Sequence, residues 1–101
     1  MIARRWHGRI PVSKAEDYLK LMMDVGLADY RSTEGNRGAW CLHRLDGDEV
    51  HVEMFTLWDD LDAIRLFAGD ELTKAKYYDF DPDFLIELEP EVTHFEVIEA
   101  D

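Results

Sequence analysis

The stretch Val50-His51-Val52-Glu53-Met54-Phe55-Thr56-Leu57-Trp58, running straight into Asp59-Asp60-Leu61-Asp62-Ala63-Ile64, decides the reading of this chain. Its first part is rich in β-branched and aromatic residues, which suit a pleated strand. Its second part is an acidic helix start, in which Asp59 or Asp60 can cap the first turn. Leu61, Ile64, Phe67 and Ala68 then fall on one helical face, and Gly69 is a stop signal. Trp58 closes the strand at the junction. A large aromatic there either fills the core or lines a cavity between a sheet and its covering helices.

Working outward, Asp46-Gly47-Asp48 is a hairpin turn signal, so residues 38–45 form a strand antiparallel to 49–58. Residues 2–10 read as a first strand ended by Pro11. Ser13 and Glu16 make a capping-box pattern. Ala15, Tyr18, Leu19 and Met22 recur at helical spacing as far as Gly26. A polar connection spans 28–37. Beyond Gly69 the sequence predicts a short helical piece over 71–78 and an acidic irregular segment over 79–89 with one turn near Phe84. A last strand covers 91–99. The order β-α-β-β-α-β predicts a single α+β domain over 1–101. Its fold class is ferredoxin-like, with a four-stranded antiparallel sheet and both helices on one face.

The apolar pattern of the strands asks for more than two helices. Val50, Val52, Met54 and Trp58 lie on one side of the third strand, with Phe55 and Leu57 on the other. Val92 and Ile98 oppose Phe95 and Val97 in the same way. A sheet with one wet face alternates cleanly. Apolar groups on both faces predict a homodimer built sheet against sheet.

The formal net charge is −12, from 23 acidic and 11 basic residues. A field of that sign repels nucleic acid and anionic membranes, and neither is expected as a partner. Cys41 is the only cysteine. It allows no intramolecular disulfide and no thiolate cluster, which fits a reducing cytoplasm. No apolar run approaches the ~18 residues of a membrane span. Arg4-Arg5 lacks the apolar region that an export signal requires.

Chemistry-bearing residues are few. His7, mid-strand between Arg5 and Arg9, is the candidate base. Arg5 and Arg4 are candidates to hold an anion, against the alternative of salt bridges to the surplus carboxylates. Trp6 and Trp58 are candidate pocket walls. Asn36, in a polar loop, and Tyr78 are candidate substrate contacts. The four histidines show no metal-ligand spacing, and no metal site is expected.

The run Phe55-Thr56-Leu57-Trp58-Asp59-Asp60-Leu61-Asp62-Ala63-Ile64-Arg65-Leu66-Phe67 resembles the signature of the antibiotic biosynthesis monooxygenase superfamily. The element order and a final strand such as Val92-Thr93-His94-Phe95-Glu96-Val97 agree with it. The resemblance implies a dimeric α/β barrel with a cavity between sheet and helices in each subunit. It implies cofactor-free oxidation of an aromatic or polycyclic small molecule, with His7 as base, a first-strand arginine as anion holder, and Trp58 and Trp6 as walls. The alternative is a dimeric binding or interaction module with no chemistry. Haem-degrading members use a first-strand Asn, a Trp at the end of the third strand and a His on the next helix. Only Trp58 matches, so haem degradation is not expected.

Overall fold

A computed structural model describes residues 1–99. Strand β1 spans Ile2–Pro11, β2 Asn36–Asp46, β3 Glu49–Trp58 and β4 Thr93–Glu96. They form one antiparallel sheet in the order β2-β3-β1-β4. Helices α1 (Ala15–Leu21), α2 (Leu27–Arg31) and α3 (Leu61–Ala68) cover one face, and a single turn, α4 (Asp81–Phe84), follows. This is the ferredoxin-like α+β arrangement that the element order predicts.

The junction after β3 forms as its residues dictate. The Asp60 carboxylate accepts the Ala63 N–H at 2.9 Å and caps α3. Gly69, at φ 85°, ends it. Ala63, Ile64 and Phe67 are buried against the sheet. Along β3 burial alternates strictly. Val50, Val52, Met54, Thr56 and Trp58 are buried beneath the helices, while Glu49, His51, Glu53, Phe55 and Leu57 are half-buried on the outer face.

Four expectations change. The capping box does not form: Val12–Lys14 is a short 3-10 turn, and α1 starts at Ala15 with no side-chain cap. Gly26 does not end the helix. A π-helical turn over Met22–Gly26 carries it into α2. Gly26 is buried, and a Cβ there would sit 3.4 Å from Met22 Sδ and 3.5 Å from Met54 Cε. It is a close-packing position, and the connection to β2 shrinks accordingly. Residues 71–78 are not helical. Lys74 bridges to Glu91, and backbone hydrogen bonds join Val92 to Thr73 and Ala75 to Pro90, so pairing with the chain before β4 overrides local propensity. Finally, β4 is short, and Ile98 beyond it is almost fully exposed.

The outer sheet face carries Trp40, Leu42, Phe55, Leu57 and Phe95. Trp40, Leu42 and Phe95 are about half exposed. Trp40 packs on Phe55 with ring centroids 6.1 Å apart. Apolar side chains therefore line both faces, as the strand pattern predicts. Among the described residues no helix is long and apolar enough to cross a membrane.

Candidate functional site

Strand parity divides the sequence-predicted residues between the two faces. Arg4, Trp6 and Trp58 point under the helices, where Tyr78 also packs. Arg5 and His7 point to the outer face.

On the outer face a hydrogen-bonded line crosses the sheet. Glu89 Oε2 lies 2.6 Å from His7 Nδ1, His7 Nε2 lies 2.8 Å from His51 Nδ1, and His51 Nε2 lies 3.0 Å from Asp46 Oδ2. The register makes His7 and His51 diagonal neighbours, since His7 pairs with Glu53 and Arg9 with His51. Each imidazole thus bridges a carboxylate and the other ring, one nitrogen to each. Both ring nitrogens of His7 are engaged, so it has no free lone pair in this arrangement. An open cavity of about 250 Å³ lies alongside, lined by His7, His51, Leu42, His43, Arg44 and Glu53. Arg5 is exposed between Phe55 and Thr93 of the flanking strands. Arg9 makes the expected ion pairs, at 3.0 Å to both Glu49 and Glu87.

The helix face is different in kind. Arg4 is 1% exposed. Its guanidinium donates only two long hydrogen bonds, at 3.5 Å to the Tyr30 hydroxyl and 3.4 Å to the Lys74 carbonyl. Its Nε–H has no partner, and among the described residues no carboxylate pairs with it. In a chain with 23 acidic residues this is unexpected, because a buried cation without a counter-charge is costly. Burial pulls the guanidinium pKa down from its ordinary value, against the pull of Tyr30.

Aromatic rings surround it. Arg4 Cζ lies 5.4 Å from the Phe67 ring centroid and Lys76 Nζ lies 4.2 Å from it. Tyr30 stacks on Phe67 at 4.4 Å, and burial pushes its phenol up to about 12. Trp58 is completely buried behind them; its Nε1 donates to Thr56 Oγ1 at 2.8 Å, and it packs against Tyr30 and Phe67. His94, the cross-strand partner of Arg4, shares this face, and its buried Nε2 is also without a partner. Burial, and then the Arg4 charge, lower its pKa. The sequence offered no spacing signal for this pairing.

The space between helices and sheet is almost filled. About 10 Å³ remains, lined by Trp6, Tyr18, Tyr30, Met54, Lys76, Tyr78 and Asp81 among others, and Trp58 is not on its wall. Tyr78 donates to Asp29 Oδ2 at 2.6 Å, and Lys76 pairs with the same oxygen at 2.9 Å. Burial pushes the Asp29 pKa up, but its bonds from Tyr78 and Lys76 outweigh that and hold it below the usual carboxylate value. Asp81 accepts from the Tyr18 hydroxyl at 2.8 Å and the Tyr78 N–H at 2.6 Å, and burial raises its pKa. Asn36 spends its amide on the bulge that opens β2, donating to Gly38 O and Leu57 O and accepting from the Gly38 N–H.

Among solved structures the chain matches a Bacillus cereus protein provisionally named an antibiotic biosynthesis monooxygenase. The TM-score is 0.68 at 14% identity, over 100% of this chain and 96% of that one. The two chains share one fold. Rv0793 from Mycobacterium tuberculosis matches with TM-score 0.60 and 16% identity, over 99% and 98% of the two chains. An uncharacterised NIPSNAP domain protein from Burkholderia xenovorans matches with TM-score 0.58 and 20% identity, over 97% and 95%. No protein-family model matches the sequence, and no curated protein is similar to it at a significant level. The match to the Bacillus cereus structure runs over the whole of this chain, so it takes in the sheet and its helices together.

Proposed function

We propose that this protein is a cofactor-independent oxygenase for a phenolic or enolic aromatic molecule, acting as a sheet-to-sheet homodimer. The observation that carries the reading is Arg4, a buried guanidinium with no carboxylate partner among the described residues, set against Tyr30 and Phe67. A substrate phenolate supplies the missing negative charge, and the surrounding rings supply a dry wall for its aromatic body. The likeness to the monooxygenase fold supports the reaction class. For a naphthol the balance is naphthol plus dioxygen giving naphthoquinone plus water, with dioxygen as the only oxidant. Substrate entry requires the packing between helices and sheet to open, because the interior holds about one water at most. His7, on the other face with both nitrogens engaged, does not take part. The apolar outer face supports the dimer.

The test is oxygen uptake and quinone absorbance with a panel of phenols and quinols, with a chelator and no added cofactor. Arg4→Met should abolish any activity found. Uptake no faster than without protein, across the panel, rejects the oxygenase reading. A second reading, a dimeric small-molecule binding module without chemistry, is favoured by the nearly filled interior. Phenol binding without oxygen uptake would select it.

A further inference from the structure

We infer that His94 is the base of this reaction, taking the phenol proton on Nε2 while Arg4 holds the oxyanion. The inference rests on the oxygenase reading and names the group that reading leaves unassigned. Buried polar atoms without partners are rare, and each one in a native structure needs a reason. Here the Arg4 Nε–H and the His94 Nε2 are both buried and unpartnered, on side chains directly opposite each other across two paired strands. Side chains so placed have Cβ atoms about 5 Å apart. One group is a donor of fixed positive charge, and the other accepts a proton in its neutral tautomer. A hydroxyl placed between them meets both needs at once.

The groups around the pair are consistent with a neutral His94. Arg4 faces it from β1. The Tyr30 hydroxyl on α2 accepts from Arg4, Lys76 lies over the Phe67 ring and is paired with Asp29, and Lys74 is ion-paired to Glu71 at the surface. Burial and the Arg4 charge both disfavour the imidazolium, so the resting ring accepts rather than donates. Proton transfer turns the phenol to a phenolate on Arg4 and the imidazole to imidazolium. The electron-rich ring carbon passes its electrons to dioxygen and forms a peroxide. His94 returns its proton to that peroxide, which loses water as the ring carbon loses its hydrogen, leaving the carbonyl. Atoms and electrons balance with dioxygen alone.

The experiment uses 1-naphthol with the intact protein. In air, the wild type should show a pH–rate profile with an acidic limb. His94→Gln should lose about 100-fold in kcat/KM and the limb with it. If His94→Gln keeps both rate and limb while the wild type oxidises naphthol, His94 is not the base and the oxygenase reading survives. If the wild type neither binds nor oxidises naphthol or any other phenol of the panel, the reading falls and the inference with it. Should His94→Gln fail to fold, the ¹⁵N resonances of His94 in the wild type decide under nitrogen. Conversion to the imidazolium pattern when 1-naphthol binds supports the role. An unchanged neutral pattern, with binding shown by tryptophan fluorescence, overturns it.

Discussion

Replacing Arg4 by Met should stabilise the fold. The guanidinium is 1% exposed, and keeping an ion in such a place costs several kcal/mol, by general estimates for buried ions. Against that stand two hydrogen bonds at 3.4 and 3.5 Å, beyond the usual range, worth about 1 kcal/mol each. The contact with Phe67 adds about 1 kcal/mol. Methionine keeps the volume and the apolar stem, fills irregular gaps well, and removes the charge. It leaves the Tyr30 hydroxyl without its donor, a loss of about 1 kcal/mol. The balance is a gain of roughly 1–3 kcal/mol, in line with replacements of buried ionic groups by apolar ones. For a domain of this size each kcal/mol moves Tm by about 4–8 °C. Urea unfolding of both proteins in the same buffer should show a higher midpoint for Arg4→Met at an unchanged m value. The same variant should lose phenol binding, so stability and function move in opposite directions. A variant less stable by ~2 kcal/mol would show that Arg4 holds the core together. The argument that its charge waits for a substrate anion would then be wrong.

Three further outcomes follow from the geometry. Gly35→Ala should destabilise the fold by about 2 kcal/mol in urea unfolding, because φ is +87° there and the new Cβ would lie 2.5 Å from Ala63 Cβ; an unchanged midpoint would refute the close approach of this loop to α3. The folded His94 pKa lies below the unfolded value of about 6.5, so the unfolded chain binds more protons just below that pH and stability should fall as pH drops through it; His94→Gln should flatten that fall below about pH 6.5, and an unaltered slope would count against the buried neutral ring. Sedimentation at micromolar concentration should give a dimer that Trp40→Glu with Phe55→Glu converts to monomer, whereas a monomeric wild type would end the sheet-to-sheet proposal.

Much of the fold is legible because several local signals agree. In β3 and α3 the alternation, the Asp60 cap and the Gly69 stop all point one way, and the structure realises each. Elsewhere a local signal meets a tertiary contact and loses. Gly26 looks like a helix end, yet it lies where Met22 and Met54 press against the backbone. Residues 71–78 have helical spacing, but Thr73, Lys74 and Ala75 find backbone partners before β4. Both failures involve a neighbour distant in sequence, Met54 in the first case and residues 90–92 in the second, which no local window contains.

The site was harder to read for a further reason: its defining property is an absence. Surplus carboxylates make an ion pair the default for every arginine in this chain, and Arg9 follows that default with Glu49 and Glu87. Arg4 has the same composition around it and the opposite fate, because an even position on β1 turns it under the helices, where the packed face supplies Tyr30, Phe67 and His94 instead of acids. The same parity sends His7 to the outer face, within reach of His51 and Glu89 and cut off from Arg4 by the sheet itself. A single-residue shift of β1 register would exchange the two sets. The strand register therefore decides which histidine shares a face with the arginine: it is His94, from the far end of the chain, and not His7, three residues away.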